Sequence, residues 1–195
     1  TQNYFQKKLN LFDLNLKQAS STDDADVEGK KNDIEVPGCN QDERDAILTK
    51  ILTKIPVSEQ IIQPNYRYLI KGVLLGVVLP VALVLVLGIF VFEEMQLYFP
   101  FLIVYVLFVA VLLFFKFKNY RLLLSRDFII IKSKAWDVEH QIVEPFKIQG
   151  VTTKQYFWHK KSDVVHLTIH TAAGDLNFNF ASYSLVKPWV NYWLY

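Results

Sequence analysis

Residues 72–92 read GVLLGVVLPVALVLVLGIFVF, and residues 97–115 read LYFPFLIVYVLFVAVLLFF. The first stretch holds 21 residues, the second 19, and neither contains a charge. At ~1.5 Å per residue, helices of these lengths cover about 31 and 28 Å, against a bilayer hydrocarbon core of ~30 Å. Two such runs in tandem predict a transmembrane hairpin at residues 67–92 and 97–117 rather than a helical hairpin buried in a soluble core. Pro100 falls near the start of its helix, where a missing N–H costs little. Pro80 falls mid-span and predicts a kink, which membrane helices tolerate.

The charges around the hairpin orient it. The loop 93–96, Glu93-Glu94-Met95-Gln96, holds no Lys or Arg, and its two carboxylates are expected to be solvated. Arg67 and Lys71 precede the first span, and Lys116, Lys118, Arg121 and Arg126 end or follow the second. Lys and Arg mark the cytoplasmic side, so both flanks are expected in the cytoplasm and the acidic loop outside. The first apolar run begins too far from the N-terminus to be a signal peptide. A net charge of +2 over 195 residues is too small to suggest nucleic acid as a partner. The lone Cys39 cannot form an internal disulfide, which fits a reducing compartment.

The two flanks resemble each other. Thr1-Gln2-Asn3-Tyr4-Phe5 matches Thr153-Lys154-Gln155-Tyr156-Phe157, and, after one inserted residue, Leu14 to Ser21 matches Leu167 to Gly174. This predicts one structural unit used twice. The second unit, residues 118–195, reads as complete, whereas residues 1–56 read as the C-terminal half of a truncated first unit, joined to the hairpin by a linker at 57–66. Strand-like runs fill the second unit at 120–125, 128–132, 138–143, 147–151, 164–171 and 176–180, separated by Gly, Ser and Asp turn signals. In Val164–Thr171, Val165, Leu167 and Ile169 share one face while His166, Thr168 and His170 share the other. Leu176, Phe178 and Phe180 are likewise expected on one face. Each unit then ends in a helix. Asn40 and Glu43 form a capping pattern ahead of the Ile47, Leu48, Ile51, Leu52, Ile55 stripe. Ser184 is placed to cap the second helix, with Leu185, Trp189, Tyr192 and Trp193 toward the sheet. Residues 23–32 are polar and aperiodic and read as a loop.

On these residues the chain resembles bacterial pleckstrin-homology-like (PH-like) domain proteins. Lys147-Ile148-Gln149-Gly150-Val151 looks like the family's KIQSV signature, with Gly150 in place of Ser. Gln155, Lys160-Lys161 and Thr171-Ala172-Ala173-Gly174 fill the places of its glutamine, basic pair and TAGG or TAAG strand end. Lys7-Lys8-Leu9-Asn10-Leu11 is similar to the basic pair followed by LGL. The arrangement is similar to membrane proteins of the YdbS/YdbT type, which place PH-like domains beside pairs of transmembrane helices. The resemblance implies a mainly β fold, a bent antiparallel sheet or barrel with a C-terminal helix, flanking a two-helix transmembrane hairpin. It also implies a multi-pass protein of the bacterial cytoplasmic membrane, and supplies no substrate.

The residues themselves offer little catalytic chemistry. There is no Gly-rich phosphate loop, G-x-S-x-G or H-E-x-x-H. Cys39 lies in a turn before a helix, where a thiol can be activated, but no second group completes a mechanism. His166 and His170 share a strand face about 13 Å apart at ~3.3 Å per residue, too far to hold one ion. No catalytic residue, metal or cofactor is therefore expected. The patch Tyr156-Phe157-Trp158-His159-Lys160-Lys161 joins amphipathic rings to cations beside a membrane hairpin, and Lys7 and Lys8 repeat it weakly. Tyr156, Trp158, His159, Lys160, Lys161, Lys7 and Lys8 are the expected membrane or lipid contacts. The expected function is a non-enzymatic protein-binding or scaffold module at the membrane, its partner another membrane or cytoplasmic protein. The alternatives are sensing of anionic lipid or envelope stress, or an accessory role in transport, against which neither span carries an ionisable residue.

Overall fold

The computed structural model describes residues 1–2, 4–17, 34–52, 54, 56, 58–91 and 99–194. The expected loops at 23–32 and 93–96 lie outside these residues. From the N-terminus, helix α1 (Tyr4–Leu9) leads into strands β1 (Phe12–Leu16) and β2 (Ile34–Cys39) and helix α2 (Gln41–Leu52). Strand β3 (Gln60–Ile62) precedes a long helical segment in three parts: α3 (Arg67–Val73), a π-turn (Leu74–Val78) and α4 (Leu79–Val91). Helix α5 (Phe99–Asn119) feeds β4 (Arg121–Leu124), β5 (Ile129–Ser133) and β6 (Glu139–Val143). Then come β7 (Ile148–Lys154), the short helix α6 (Phe157–Lys160), β8 (Val164–Thr171), β9 (Gly174–Ser182) and helix α7 (Tyr183–Leu194).

Two antiparallel sheets, ordered β3-β4-β5-β6 and β7-β8-β9, enclose the core. Leu122, Leu124, Ile129 and Ile131 of the first meet Val165, Leu167, Ile169, Phe178 and Ala181 of the second, and Val186 of α7 closes one end. In β8 the apolar residues point inward and the histidines outward, as period-2 alternation requires. The runs Leu122-Leu123-Leu124 and Ile129-Ile130-Ile131 do not alternate because both of their faces are covered. Leu123, Phe128 and Ile130 pack on the outer side against Leu52 and Leu48 of α2. Mainly β sheets closed by a C-terminal helix are the architecture that the PH-like resemblance implies.

Four expectations are corrected. The stretch 57–66 is more than a linker: β3 is an edge strand, with Gln60 opposite Leu124 and Ile62 opposite Leu122. Trp189 Nε1 donates to Gln60 Oε1 at 2.5 Å. The complete sheet therefore begins before the helical hairpin, and residues 118–195 lack its edge. Phe180 leaves the face of Leu176 and Phe178, because the β8–β9 register shifts between Val165 and Leu167 and Phe180 adopts a φ of 61°. Ala181 takes the core position instead. On α7 it is Val186, Trp189, Val190 and Trp193 that face the core, while Leu185 and Tyr192 are exposed. The cap of α7 comes from Asp163, whose carboxylate accepts from Ser184 N at 3.0 Å and from Ser184 Oγ at 2.6 Å.

The apolar helices pack through small residues. A Cβ on Gly72 would lie 2.7 Å from the Leu113 side chain, so glycine permits this approach of α3 to α5. Pro80 has no N–H for the Gly76 carbonyl four residues before it. That carbonyl accepts a 2.8 Å hydrogen bond from the Tyr105 hydroxyl. The π-turn lies just ahead of Pro80, where a kink was expected. Arg67–Val86 and Pro100–Asn119 are each long and apolar enough to cross a membrane, and neither apolar window is buried against the rest of the chain.

Candidate functional site

The aromatic–basic patch is built where β7 crosses to β8. Gln155 Nε2 donates to the Val164 carbonyl at 3.1 Å, fixing the start of the crossing. Tyr156 is still extended, and the His159 N–H returns to its carbonyl at 2.9 Å, so α6 is a single turn. The turn ends at Asp163, with a φ of 52°. Burial pushes the Asp163 carboxyl up, but hydrogen bonds from the Ser182 and Ser184 hydroxyls and the Ser184 N–H outweigh it and hold the group below its ordinary value.

One turn puts three rings on a shelf. Tyr156 stacks on Trp158 at 5.0 Å and 3°, and Phe157 meets Trp158 edge-on at 4.4 Å. The Lys154 ammonium lies 5.2 Å from the Tyr156 ring. Phe157 is 77% exposed and Trp158 51%. Lys160 and Lys161 are exposed beside them. Arg67 Nη1 donates to the Trp158 carbonyl at 3.2 Å, which ties the shelf to the base of the first apolar helix.

His159 is not a surface contact. It is 7% exposed, enclosed by the rings of Tyr156, Trp158, His166 and Phe180. Burial first, then the neighbouring His166 and Arg67, push its imidazole below its ordinary value, which favours the neutral form. The structure brings His166 to His159, with ring centroids 5.4 Å apart. It pairs His170 with Asp175 at 2.8 Å. Among the described residues, no group of three or more His, Cys, Asp or Glu side chains is placed to hold a metal ion.

Behind the shelf the rings continue inward. Phe180 packs on His166 at 4.8 Å and on Tyr68 at 5.9 Å. Tyr68 of α3 stacks on Tyr120 at 5.1 Å, and Tyr120 on Phe178 at 4.6 Å. Burial pushes the Tyr120 phenol up to about 12, even though the Asn179 N–H hydrogen-bonds to its oxygen. The column joins the bases of both apolar helices to the sheet core.

The motif residues hold the fold together. Lys147 pairs with Glu144 at 2.6 Å, and Ile148 and Val151 pack against the core, while Gln149 is exposed. Thr171 Oγ donates to the Gly174 carbonyl at 2.6 Å across the turn formed by Ala172 and Ala173. Lys7 and Lys8 are exposed on α1. Cys39 is buried, its thiol donating to the Phe12 carbonyl at 3.0 Å.

Sequence reasoning passed over Trp136, 56% exposed in the β5–β6 turn. Asn119 Nδ2 donates to the Ala135 carbonyl at 2.8 Å, placing that turn at the end of α5. An isolated tryptophan between Lys134-Ala135 and Asp137 was the available signal.

The family model for the bacterial PH domain matches residues 68–187, more than half of the chain, and the chain belongs to that family. No curated protein matches the chain, and no solved structure does.

Proposed function

We propose that the protein is a non-enzymatic, membrane-anchored binding module of the YdbS/YdbT type. Its hairpin spans the bacterial cytoplasmic membrane, and PH-like units on both flanks face the cytoplasm, where the complete one docks a protein partner. The observation that carries this reading is the aromatic column. Tyr68 and Phe117, at the bases of the two apolar helices, lie 6.4 Å apart, and Tyr68 stacks on Tyr120 over Phe178. A domain packed on the bases of its own anchors is presented in a fixed orientation, which suits docking better than a flexible tether does. The recurrence of one order of elements on the two flanks supports the repeated-unit reading.

The test is cysteine accessibility in whole cells, in a Cys39→Ser background. Cysteine at Gln96 is expected to react with an impermeant reagent, and cysteine at the exposed Lys161 is expected not to. The reverse pattern overturns the orientation. Photo-crosslinking from Lys161 in native membranes then reports the neighbour, and a single protein adduct supports docking.

A second reading, contact of the shelf with the bilayer, is favoured by the exposure of Phe157 and Trp158 beside Arg67. Tryptophan prefers the headgroup region, and each nearby lysine adds about 1 kcal/mol at an anionic surface. Bilayer contact predicts that brominated lipid quenches a component of the fluorescence that Trp158→Phe removes. Equal quenching in wild type and variant would sink it.

A further inference from the structure

We propose that the cleft between α1, the end of α5 and the outer face of the four-stranded sheet binds a phosphate group. Its cavity of about 320 Å³ is lined by Lys7, Lys118, Asn119, Arg121, Lys132 and His140, with Gln2 and Val138. The cations arrive from different elements. Lys7 comes from α1, Lys118 from the last turn of α5, Arg121 from β4 and Lys132 from β5. Arg121 and Lys132 are direct cross-strand partners, and Lys132 is in turn opposite His140.

Like charges placed opposite one another destabilise a sheet. Elsewhere the same fold pairs lysines with carboxylates: Lys134 meets Glu139 at 2.9 Å, Lys147 meets Glu144 at 2.6 Å and Lys54 meets Asp127 at 2.9 Å. Among the described residues, no carboxylate lines the cleft. A row of cations that meets no carboxylate among the described residues and faces a cavity is what an anion needs, and an Arg fork with several ammonium groups suits phosphate oxygens, Arg121 Nε itself donating to the Lys118 carbonyl at 3.1 Å. Partial burial first, then the charges of Lys132, the N-terminal ammonium and Arg44, push His140 down to about 4. It is therefore neutral at pH 7 and adds a hydrogen-bonding edge instead of a fifth charge.

The cavity is at the lower end of the ~300–1,000 Å³ range of small-molecule sites. That admits a phosphate carrying a small organic group, such as a glycerol phosphate. The same chemistry is offered by a lipid headgroup or by a free phosphate ester. The site does not depend on the hairpin crossing a bilayer, so its test stands or falls apart from the function proposed above.

The test uses the full chain in nanodiscs of neutral lipid, with histidine-labelled NMR following the His140 ring. Titrated glycerol phosphate is expected to shift that ring saturably and to raise its pKa, since a bound anion favours imidazolium. Lys132→Gln and Arg121→Gln are each expected to weaken binding at least tenfold. Lys7→Gln, on an exposed helix that does not build the sheet, is expected to weaken it severalfold and covers the case in which the strand variants do not fold. Lys187→Gln, exposed on α7 away from the cleft, is expected to leave it unchanged. In nanodiscs containing phosphatidic acid, a shift without added ligand identifies the lipid as the source. Its absence there, with a response to glycerol phosphate, identifies the free ester. No saturable shift in either arm overturns the site, as does a shift that Lys7→Gln and Lys132→Gln leave intact.

Discussion

The described residues of 10–52 and residues 163–194 follow one sequence of backbone events and bury very different amounts of apolar surface. Asn10 and Asp163 both take a φ of 52° ahead of their strands. Phe12 pairs with Cys39 and Leu14 with Val36, with the register shifting between them. Val165 pairs with Ala181 and Leu167 with Phe178, with the same shift. Gly38 and Phe180 stand at corresponding places with φ of 69° and 61°. Each hairpin is followed by a helix of 12 residues, α2 or α7. Yet β8 is sandwiched between β7 and β9, while β1 pairs with β2 alone among the described residues. Val164, Val165, Leu167, Ile169, Phe178 and Val186 are buried in the later region, against Cys39 and Leu52 among the described residues of the earlier one, where Ile34 and Ile51 are exposed. The contrast separates two kinds of information. The path of the chain is set by local turn chemistry, whereas the core needs a third strand and a facing sheet.

The sharpest way to test that separation is to remove a side chain at the same place in both regions. Phe178 is 0% exposed, and Phe178→Ala is expected to cost about 3–5 kcal/mol through lost transfer and a residual cavity. Val36, its counterpart opposite Leu14, is only half-buried, and Val36→Ala is expected to cost about 1 kcal/mol or less. Denaturant unfolding of the full chain in detergent, followed by fluorescence, measures both. Equal losses would mean that the earlier region has a core of its own.

A smaller effect separates the two hairpins by their carboxylates. Asp163 ties the start of β8 to the start of α7, and Asp163→Ala is expected to cost about 1–2 kcal/mol as a lost cap. Asp13 accepts from Gln6 Nε2 at 2.7 Å and Gly38 N at 2.9 Å, and these two bonds hold its carboxyl below its ordinary value. Both folded values are depressed, so the unfolded chain binds more protons below about pH 4. The contribution of each group is present above its ordinary value of 3.8 and is lost as pH falls through the lower folded one. Acid titration should show the loss in both hairpins, and each Asp→Asn variant should flatten its own part. An unchanged profile in Asp163→Asn would deny that carboxylate its capping role.

Much of this was legible because it is local. The two apolar runs, the alternation in β8 and the Asn40–Glu43 cap are each written within a few residues. The Asn40 N–H does donate to Glu43 Oε2, at 3.0 Å. What escaped notice depends on distant partners. β3 has three residues, and its pairing partner β4 lies beyond the whole helical hairpin. His159 reads as a surface residue until Tyr156, His166 and Phe180 close over it. The basic row is invisible in sequence because Arg121, Lys132 and His140 meet only through strand register.

The smallest effect concerns the left-handed position itself. At Gly38 no atom lies within 4 Å of an added Cβ, so Gly38→Ala is charged for backbone conformation alone, about 1 kcal/mol at a positive φ. Phe180 already carries that strain, offset by its packing on His166 and Tyr68 and by the Lys71 ammonium 5.9 Å from its ring. Phe180→Gly therefore relieves the backbone and loses more in ring contacts, a net destabilisation of the later region. Because β1 and β2 add no residue to the sheet core among the described residues, Gly38→Ala should act locally. Amide hydrogen exchange should speed up in β1 and β2 and stay unchanged in β8 and β9. Faster exchange in all four strands would show that the two regions unfold as one unit, and the separation of path from core would fail at the position where the two backbones agree most closely.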